Sequence, residues 1–296
     1  MKKILIPVDF SEHSITTCKF ALKLFKGHDT EITLFHTYFD QLTLAENHLT
    51  TDLEPNIIGF MDERIFKDLK KNSEKKLDEL AENLNNYKNI LGNTSITILT
   101  KTEGGLPLNE VLNSIKREHY DYLFLGSKKD HEKRIGDNSL QYKLLNRSSI
   151  PVFVVPPEVD NTEIKNILYL TELNLVDIDH IHGLYKFYKS DSLRINILHF
   201  EKSNKENTYE KMTSFKSSFS QSETNNALDF MIEPAVKVEE KLEELTKSLS
   251  IDLISFIPQK KTMSHIFSVP AVSKKDLLHL NIPLLAIPEK AIYMNE

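Results

Sequence analysis

Ile4-Leu5-Ile6-Pro7-Val8-Asp9 is a short apolar run closed by an acid, and Ile167-Leu168-Tyr169-Leu170-Thr171-Glu172 repeats the pattern 163 positions later. The next run, Thr33-Leu34-Phe35-His36, returns as Asn196-Ile197-Leu198-His199 at the same displacement. Further on, Asp121-Tyr122-Leu123-Phe124-Leu125 matches Asp252-Leu253-Ile254-Ser255-Phe256 at a displacement of 131. Ser149-Ile150-Pro151-Val152-Phe153-Val154-Val155-Pro156 then matches Asn281-Ile282-Pro283-Leu284-Leu285-Ala286-Ile287-Pro288 at 132. Short apolar strands look alike, so a single match means little. Four in one order, with a constant displacement at each end, indicate a duplication. The drop in displacement places a deletion of about thirty residues in the middle of the second copy. The joint is the proline-led polar stretch from Pro156 to Glu163.

Between the apolar runs lie helical stripes, so each copy alternates strands with amphipathic helices and implies a parallel sheet covered on both faces. In the first copy the spacing predicts helices over 11–26, 63–91, 106–118 and 138–147, and strands over 3–9, 31–37, 95–101, 120–126 and 151–156. The second copy shows Val238, Leu242, Leu245 and Leu249 at helical spacing and a shorter crossover between its second and fourth strands. Its 201–226 stretch, rich in Ser, Asn, Lys and Glu, reads as a frayed helix or a loop.

The 296 residues suit two α/β domains, and 40% hydrophobic with 27% charged residues describes an ordinary globular chain. A net charge of −6 argues against a nucleic-acid surface, though not against a small anion site. The single cysteine, Cys18, rules out an internal disulfide and falls on a helical stripe, where it reads as core. Pro7 and Asp9 cut the N-terminal apolar run too short for a signal core or a membrane span, so a cytoplasmic protein with no membrane partner is expected.

Five strands per copy, an acid closing the first and a glycine after the fourth resemble the universal stress protein family. The opening Ile4–Ser11 and closing Ile150–Pro156 segments are similar to that family's ends. The resemblance covers nearly all of 1–157 and, more loosely, 163–296, and implies a tandem member. Two open parallel five-stranded sheets flanked by helices, of the adenine nucleotide alpha hydrolase-like type, are then expected, each in strand order 3-2-1-4-5. The closing strands Val152–Val155 and Leu284–Ile287 are expected to pair about a pseudo-twofold axis inside one chain, as an intrachain pseudo-dimer. A homodimer and an unidentified protein partner are further assemblies compatible with the family.

Nucleotide-binding members of that family carry Gly, two residues, Gly, nine residues, then Gly-Ser or Gly-Thr. Backbone amides approach phosphates closely only where side chains do not intrude. The strand-end acid lies at the carboxyl edge of the sheet, where open α/β sheets bind ligands. Carried over residue by residue, the resemblance implies a site of Pro7, Val8 and Asp9 with Gly126, Ser127, Lys129, Gly136, Asn138 and Ser139. Asp9, Gly126 and Ser139 match the motif; Lys129 replaces its middle glycine and Asn138 its last. Gly136 substitutes for the lost glycine only after a local shift. Lys129 either offers a cation to phosphates or fills their space. The leading expectation is a degenerate site that binds ATP or AMP weakly or not at all. In the second copy Ile257, Pro258, Glu172 and Ala271 stand at the positions of Gly126, Ser127, Asp9 and Ser139, so no nucleotide is expected there.

Other constellations are weaker. His36 and His199 are explained by duplication and packing without a metal. His180 and His182 are two apart on a helix and face different ways. The lysines between Lys70 and Lys76 alternate with acids as a solvated face. Ser11 and Ser127 lack nucleophile-elbow glycines, and Gly104-Gly105 reads as a turn. Three functions follow in order: a non-catalytic stress-response or regulatory module, an adenine-nucleotide sensor using the first copy, and an ATP-cleaving enzyme. The last lacks a glycine loop anywhere in 7–13.

Overall fold

The computed structural model describes residues 1–38, 63–127, 139–159, 163–188, 190, 192–201, 205–219, 227–258, 277 and 280–291. By internal packing the chain divides into Met1–Leu125 and Gly126–Glu296.

In the first unit the strands are β1 (Lys2–Pro7), β2 (Thr30–Thr37), β3 (Ile96–Glu103) and β4 (Tyr122–Gly126). The glycine that ends β4 opens the second unit. They run in the order β3-β2-β1-β4, all parallel, with Lys2 opposite Thr30, Thr30 opposite Ile96 and Ile4 opposite Tyr122. Ile4, Leu5 and Ile6 are fully buried, as a strand covered on both faces requires. Three helices cross over: α1 (Glu12–Leu24), α2 (Glu63–Ile90) and α3 (Pro107–Glu118). Thr17, Cys18, Ala21 and Leu22 form the buried stripe of α1, and burial pushes the Cys18 thiol up to about 12, which leaves it a packing residue. Leu77, Leu80, Ala81 and Leu84 make the buried stripe of α2. Pro107 opens α3, and His119 closes it in the left-handed conformation, with φ 55°.

The second unit contains β5 (Val152–Val155), β6 (Asn166–Leu170), β7 (Arg194–Glu201), β8 (Leu228–Pro234), β9 (Leu253–Phe256) and β10 (Leu284–Ala286). Its strand order is β5-β10-β9-β6-β7-β8. The five strands of the second copy thus take the expected 3-2-1-4-5 arrangement, all parallel. The expected pairing of the closing strands is present: β5 and β10 are antiparallel, with Phe153 opposite Leu285. That ladder is why compactness assigns β5, the closing strand of the first copy, to the second unit. The helices here are α4 (Leu140–Arg147), α5 (Leu175–Phe187), α6 (Lys205–Ser217) and α7 (Val238–Ser248). The stretch read as a frayed helix or a loop includes α6. It is anchored by buried Met212 and Phe215, and beyond its end Phe219 packs on Phe215 and Phe230.

The duplication extends to backbone detail. Phe10 and Leu173, 163 positions apart, are both left-handed, at φ 63° and 61°. His119 and Ser250, 131 apart, are left-handed at 55° and 50°. The aspartate that precedes the fourth strand of each copy does the same work twice. Asp121 accepts from the Lys3 N–H at 2.6 Å and its own N–H donates to the Lys3 carbonyl. Asp252 accepts from the N–H groups of Lys165 and Asn166 at 2.9 and 2.8 Å and donates to the Asn166 carbonyl. Charge-assisted bonds to backbone are worth about 1.5–3 kcal/mol. Asp252→Ala, which frees two N–H groups, should therefore destabilise by about 2 kcal/mol in urea denaturation, and Asp121→Ala by less. Equal and negligible losses would show that these carboxylates are ornamental.

Candidate functional site

The first unit supplies the strand-end group. Val8 is buried, its N–H donating to the Phe35 carbonyl at 2.8 Å and its carbonyl 2.7 Å from His36 Nδ1. Pro7, opposite Phe35, ends β1, and the chain turns through left-handed Phe10. Asp9 is exposed at this turn, and its Oδ1 accepts from the backbone N–H and the hydroxyl of Ser11. Ser11 in turn caps α1, its Oγ accepting from the Ser14 N–H at 3.3 Å. The carboxylate is thereby held in one orientation at the carboxyl edge of the sheet. The Phe10 ring lies 4.5 Å from the His36 ring, and the Lys76 ammonium stands 5.8 Å over it. Lys76 belongs to the face read in the sequence as solvated, and Phe10 adjoins the strand-end acid, which was the available signal for it.

The glycine-motif residues lie in the second unit. The Ser127 N–H donates to the Val155 carbonyl at 2.8 Å. Ser139 is the N-cap of α4, its Oγ accepting from the Tyr142 N–H at 3.3 Å. Gln141, the second residue of that helix, donates its amide to the Gly126 carbonyl at 3.4 Å. Gly126, Ser127 and Ser139 are thus tied into one local framework. Gln141 adjoins these residues, and the motif did not reveal it. Lys129, Gly136 and Asn138 lie outside the described residues.

The second copy is built differently at the same place. Ile257, at the position of Gly126, is buried, and Pro258, at the position of Ser127, has no N–H to donate. Ala271 lies outside the described residues. At the end of β6, Tyr169 and Thr171 donate their hydroxyls to the two oxygens of Asp177, each at 2.8 Å. The Asn174 N–H at the start of α5 donates to Asp177 Oδ2 at 2.9 Å. His180 Nδ1 lies 3.5 Å from the Tyr169 hydroxyl. Asp177 and His180 are each 1% exposed. Burial raises the Asp177 carboxyl above its ordinary range, against hydrogen bonds from Thr171, Tyr169 and the backbone of Asn174 and Glu172, which lower it. Burial lowers the His180 imidazole to about 4, so it is neutral at neutral pH.

The paired histidines have a structural role. His199 Nδ1 lies 2.9 Å from the Thr171 carbonyl, the counterpart of the His36 contact with Val8. The expected difference between His180 and His182 holds: the first is buried, while the second, half-buried, packs its ring 5.2 Å from Phe219. Gly104 permits a close approach, since a side chain there would meet the Tyr38 hydroxyl. Among the described residues no group of three or more His, Cys, Asp and Glu is placed to hold a metal ion. No described helix is long and apolar enough to cross a membrane.

Among solved structures, a universal stress protein from Archaeoglobus fulgidus is similar at 14% identity and a TM-score of 0.66, over 97% of this chain and 96% of that one. A putative universal stress protein from Pseudomonas aeruginosa UCBPP-PA14 matches at 11% identity and TM-score 0.55, over 97% and 93%. A functionally unknown protein from Pseudomonas aeruginosa PAO1 matches at 10% identity and 0.56, over 98% and 93%. At such identities these likenesses establish the fold. No curated protein matches the chain. The model of the universal stress protein family matches residues 1–156, more than half the length, and the chain belongs to that family as a tandem member.

Proposed function

We propose that this universal stress protein acts without catalysis, in stress response or regulation, and that its second copy is structural. The repeats 1–157 and 163–296 are the units of duplication, the first with a degenerate nucleotide motif and the second with none. The observation that carries this reading is the replacement at the second copy. Buried Ile257 occupies the place of the motif's first glycine, and the carboxylate of Asp177 takes up the Asn174 N–H at the head of α5. Bulk and an internal carboxyl acceptor there leave no cradle for phosphate. In the first copy the Ser127 N–H is already engaged by Val155, which favours weak binding or none.

One observation favours the second reading, a sensor of ATP or AMP in the first copy. Asp9 is exposed and held in a fixed orientation by Ser11, as a carboxylate that accepts ligand hydroxyls needs to be. Pro7, Val8, Asp9, Gly126, Ser127, Gly136 and Ser139 are the residues on which such binding would rest. Lys129 and Asn138 decide it, because they replace glycines. Isothermal titration with ATP should give little or no heat for the wild type and clear binding for Lys129→Gly with Asn138→Gly. Tight wild-type binding would promote the sensor. A double variant weaker than wild type would make Lys129 a phosphate ligand.

A further inference from the structure

Four of the positions that differ between the two strand ends bear on chemistry. Ile6, Val8, Ser14 and Thr17 in the first correspond, 163 positions on, to Tyr169, Thr171, Asp177 and His180. The first set contains nothing that titrates. The second puts a phenol, a carboxylate and an imidazole into a buried cluster. The alternation 169, 171 presents one face of β6. The spacing 177, 180 presents one face of α5 toward it. The result is a set of bonds fastening the helix start to the strand end, through Tyr169, Thr171 and the Asn174 N–H, all converging on Asp177.

We propose that this cluster is a proton-sensitive latch at the β6–α5 junction of the second unit, which loosens when His180 takes up a proton and has no counterpart in the first unit. His180 sits against the Tyr169 hydroxyl, which already donates to Asp177. An imidazolium at that place is a charge almost wholly removed from water. The groups facing it, among the described contacts, are Tyr169 from β6 and Asp177 from its own helix. His199 from β7 reaches the cluster through the Thr171 carbonyl, and Glu172 contributes a backbone N–H. Burial alone lowers His180, to about 4 from 6.5.

The sign follows from linkage. An opened segment binds the proton at about 6.5 and the closed one only near 4, so closure is fully favoured above 6.5 and weakens as pH falls. Asp177 works the other way, since a raised carboxyl favours the closed state once protonated, and its contribution is lost as pH rises through its folded value. It therefore opposes the His180 effect wherever the two titrations overlap, and sets an upper bound on it. Between about pH 7 and 5 the opening equilibrium should therefore rise about twentyfold from His180.

Amide hydrogen exchange on the full chain tests this, comparing 169–184 with 6–21 after correction for intrinsic rates. We expect the second-unit segment to open more readily at the lower pH, by up to about twentyfold, with no such rise in the first. Replacing the four residues by their first-copy counterparts, Tyr169→Ile, Thr171→Val, Asp177→Ser and His180→Thr, should abolish the rise. Equal responses in the two segments, or a rise that survives the replacement, would overturn the latch. Should the fourfold variant fold poorly, an NMR titration of the wild-type His180 imidazole decides independently. Titration near 6.5 refutes the proposal, and a value depressed by two units or more supports it.

Discussion

Leu285→Asp should cost more than about 4 kcal/mol in urea denaturation, enough to abolish cooperative folding of the second unit. Leu285 is 1% exposed, at the middle of a strand only three residues long. It stands opposite Phe153 on the β5 side and Ser255 on the β9 side, and its carbonyl also accepts from the Ser255 hydroxyl at 3.2 Å. At 1% exposure a carboxylate there would be almost wholly removed from water. Natural domains keep only about 5–15 kcal/mol in hand. The conservative control, Leu285→Met, keeps volume and polarity and should cost less than about 1.5 kcal/mol. A mild effect of the aspartate would mean that β10 is peripheral and that β5 pairing contributes little. An exposed apolar edge at Val152–Val155 would then be the aggregation hazard that this pairing otherwise removes.

The need to cover two uninterrupted apolar runs at the ends of duplicated units was legible in the sequence, and the resemblance implied that they cover each other. The strands and helices were legible for a similar reason. A parallel sheet buried on both faces is written as short apolar runs, and helix stripes recur at three and four. The boundaries shifted where local chemistry intervened. The first strand was read through Asp9 but ends at Pro7, because the chain turns at left-handed Phe10. The helix within 201–226 was obscured because its buried anchors, Met212 and Phe215, are few among polar neighbours. The candidate site was half legible. Asp9 and Ser139 announce themselves by motif, whereas Gln141 acts through a side-chain amide that no motif fixes. The second-copy cluster was missed although every member was visible. Its signal was the column-by-column comparison of the repeats, in which a strand-end isoleucine and valine become tyrosine and threonine while a helix serine and threonine become aspartate and histidine.

The same cluster sets the other large expected effect. Asp177→Ala removes at once the acceptor of two hydroxyls and of the Asn174 and Glu172 N–H groups, in a site 1% exposed. Tyr169 can turn its hydroxyl toward His180 Nδ1, 3.5 Å away, but Thr171 and the Asn174 N–H lose this acceptor. At about 1–3 kcal/mol for each buried polar group left unpaired, the loss should reach about 3 kcal/mol near pH 7. Ser14→Ala, at the matching place in the first copy, removes a single hydroxyl bond to the Ser11 carbonyl and should cost about 1 kcal/mol. Asp177→Asn separates shape from charge. Its carbonyl can keep Thr171 and Asn174, while its amide donates to Tyr169, whose hydroxyl then donates to His180. That variant should lose only about 1 kcal/mol. The pH dependence gives the sharper discrimination. Because burial raises the Asp177 carboxyl, its contribution to stability is greatest below the ordinary aspartate value of 3.8 and declines as pH rises through its folded value. The alanine penalty should therefore be larger at about pH 4 than near pH 7. Urea denaturation of wild type and variant at both values measures the difference. A penalty that shrinks on acidification would mean that Asp177 is stabilised as the anion, its hydrogen bonds outweighing its burial.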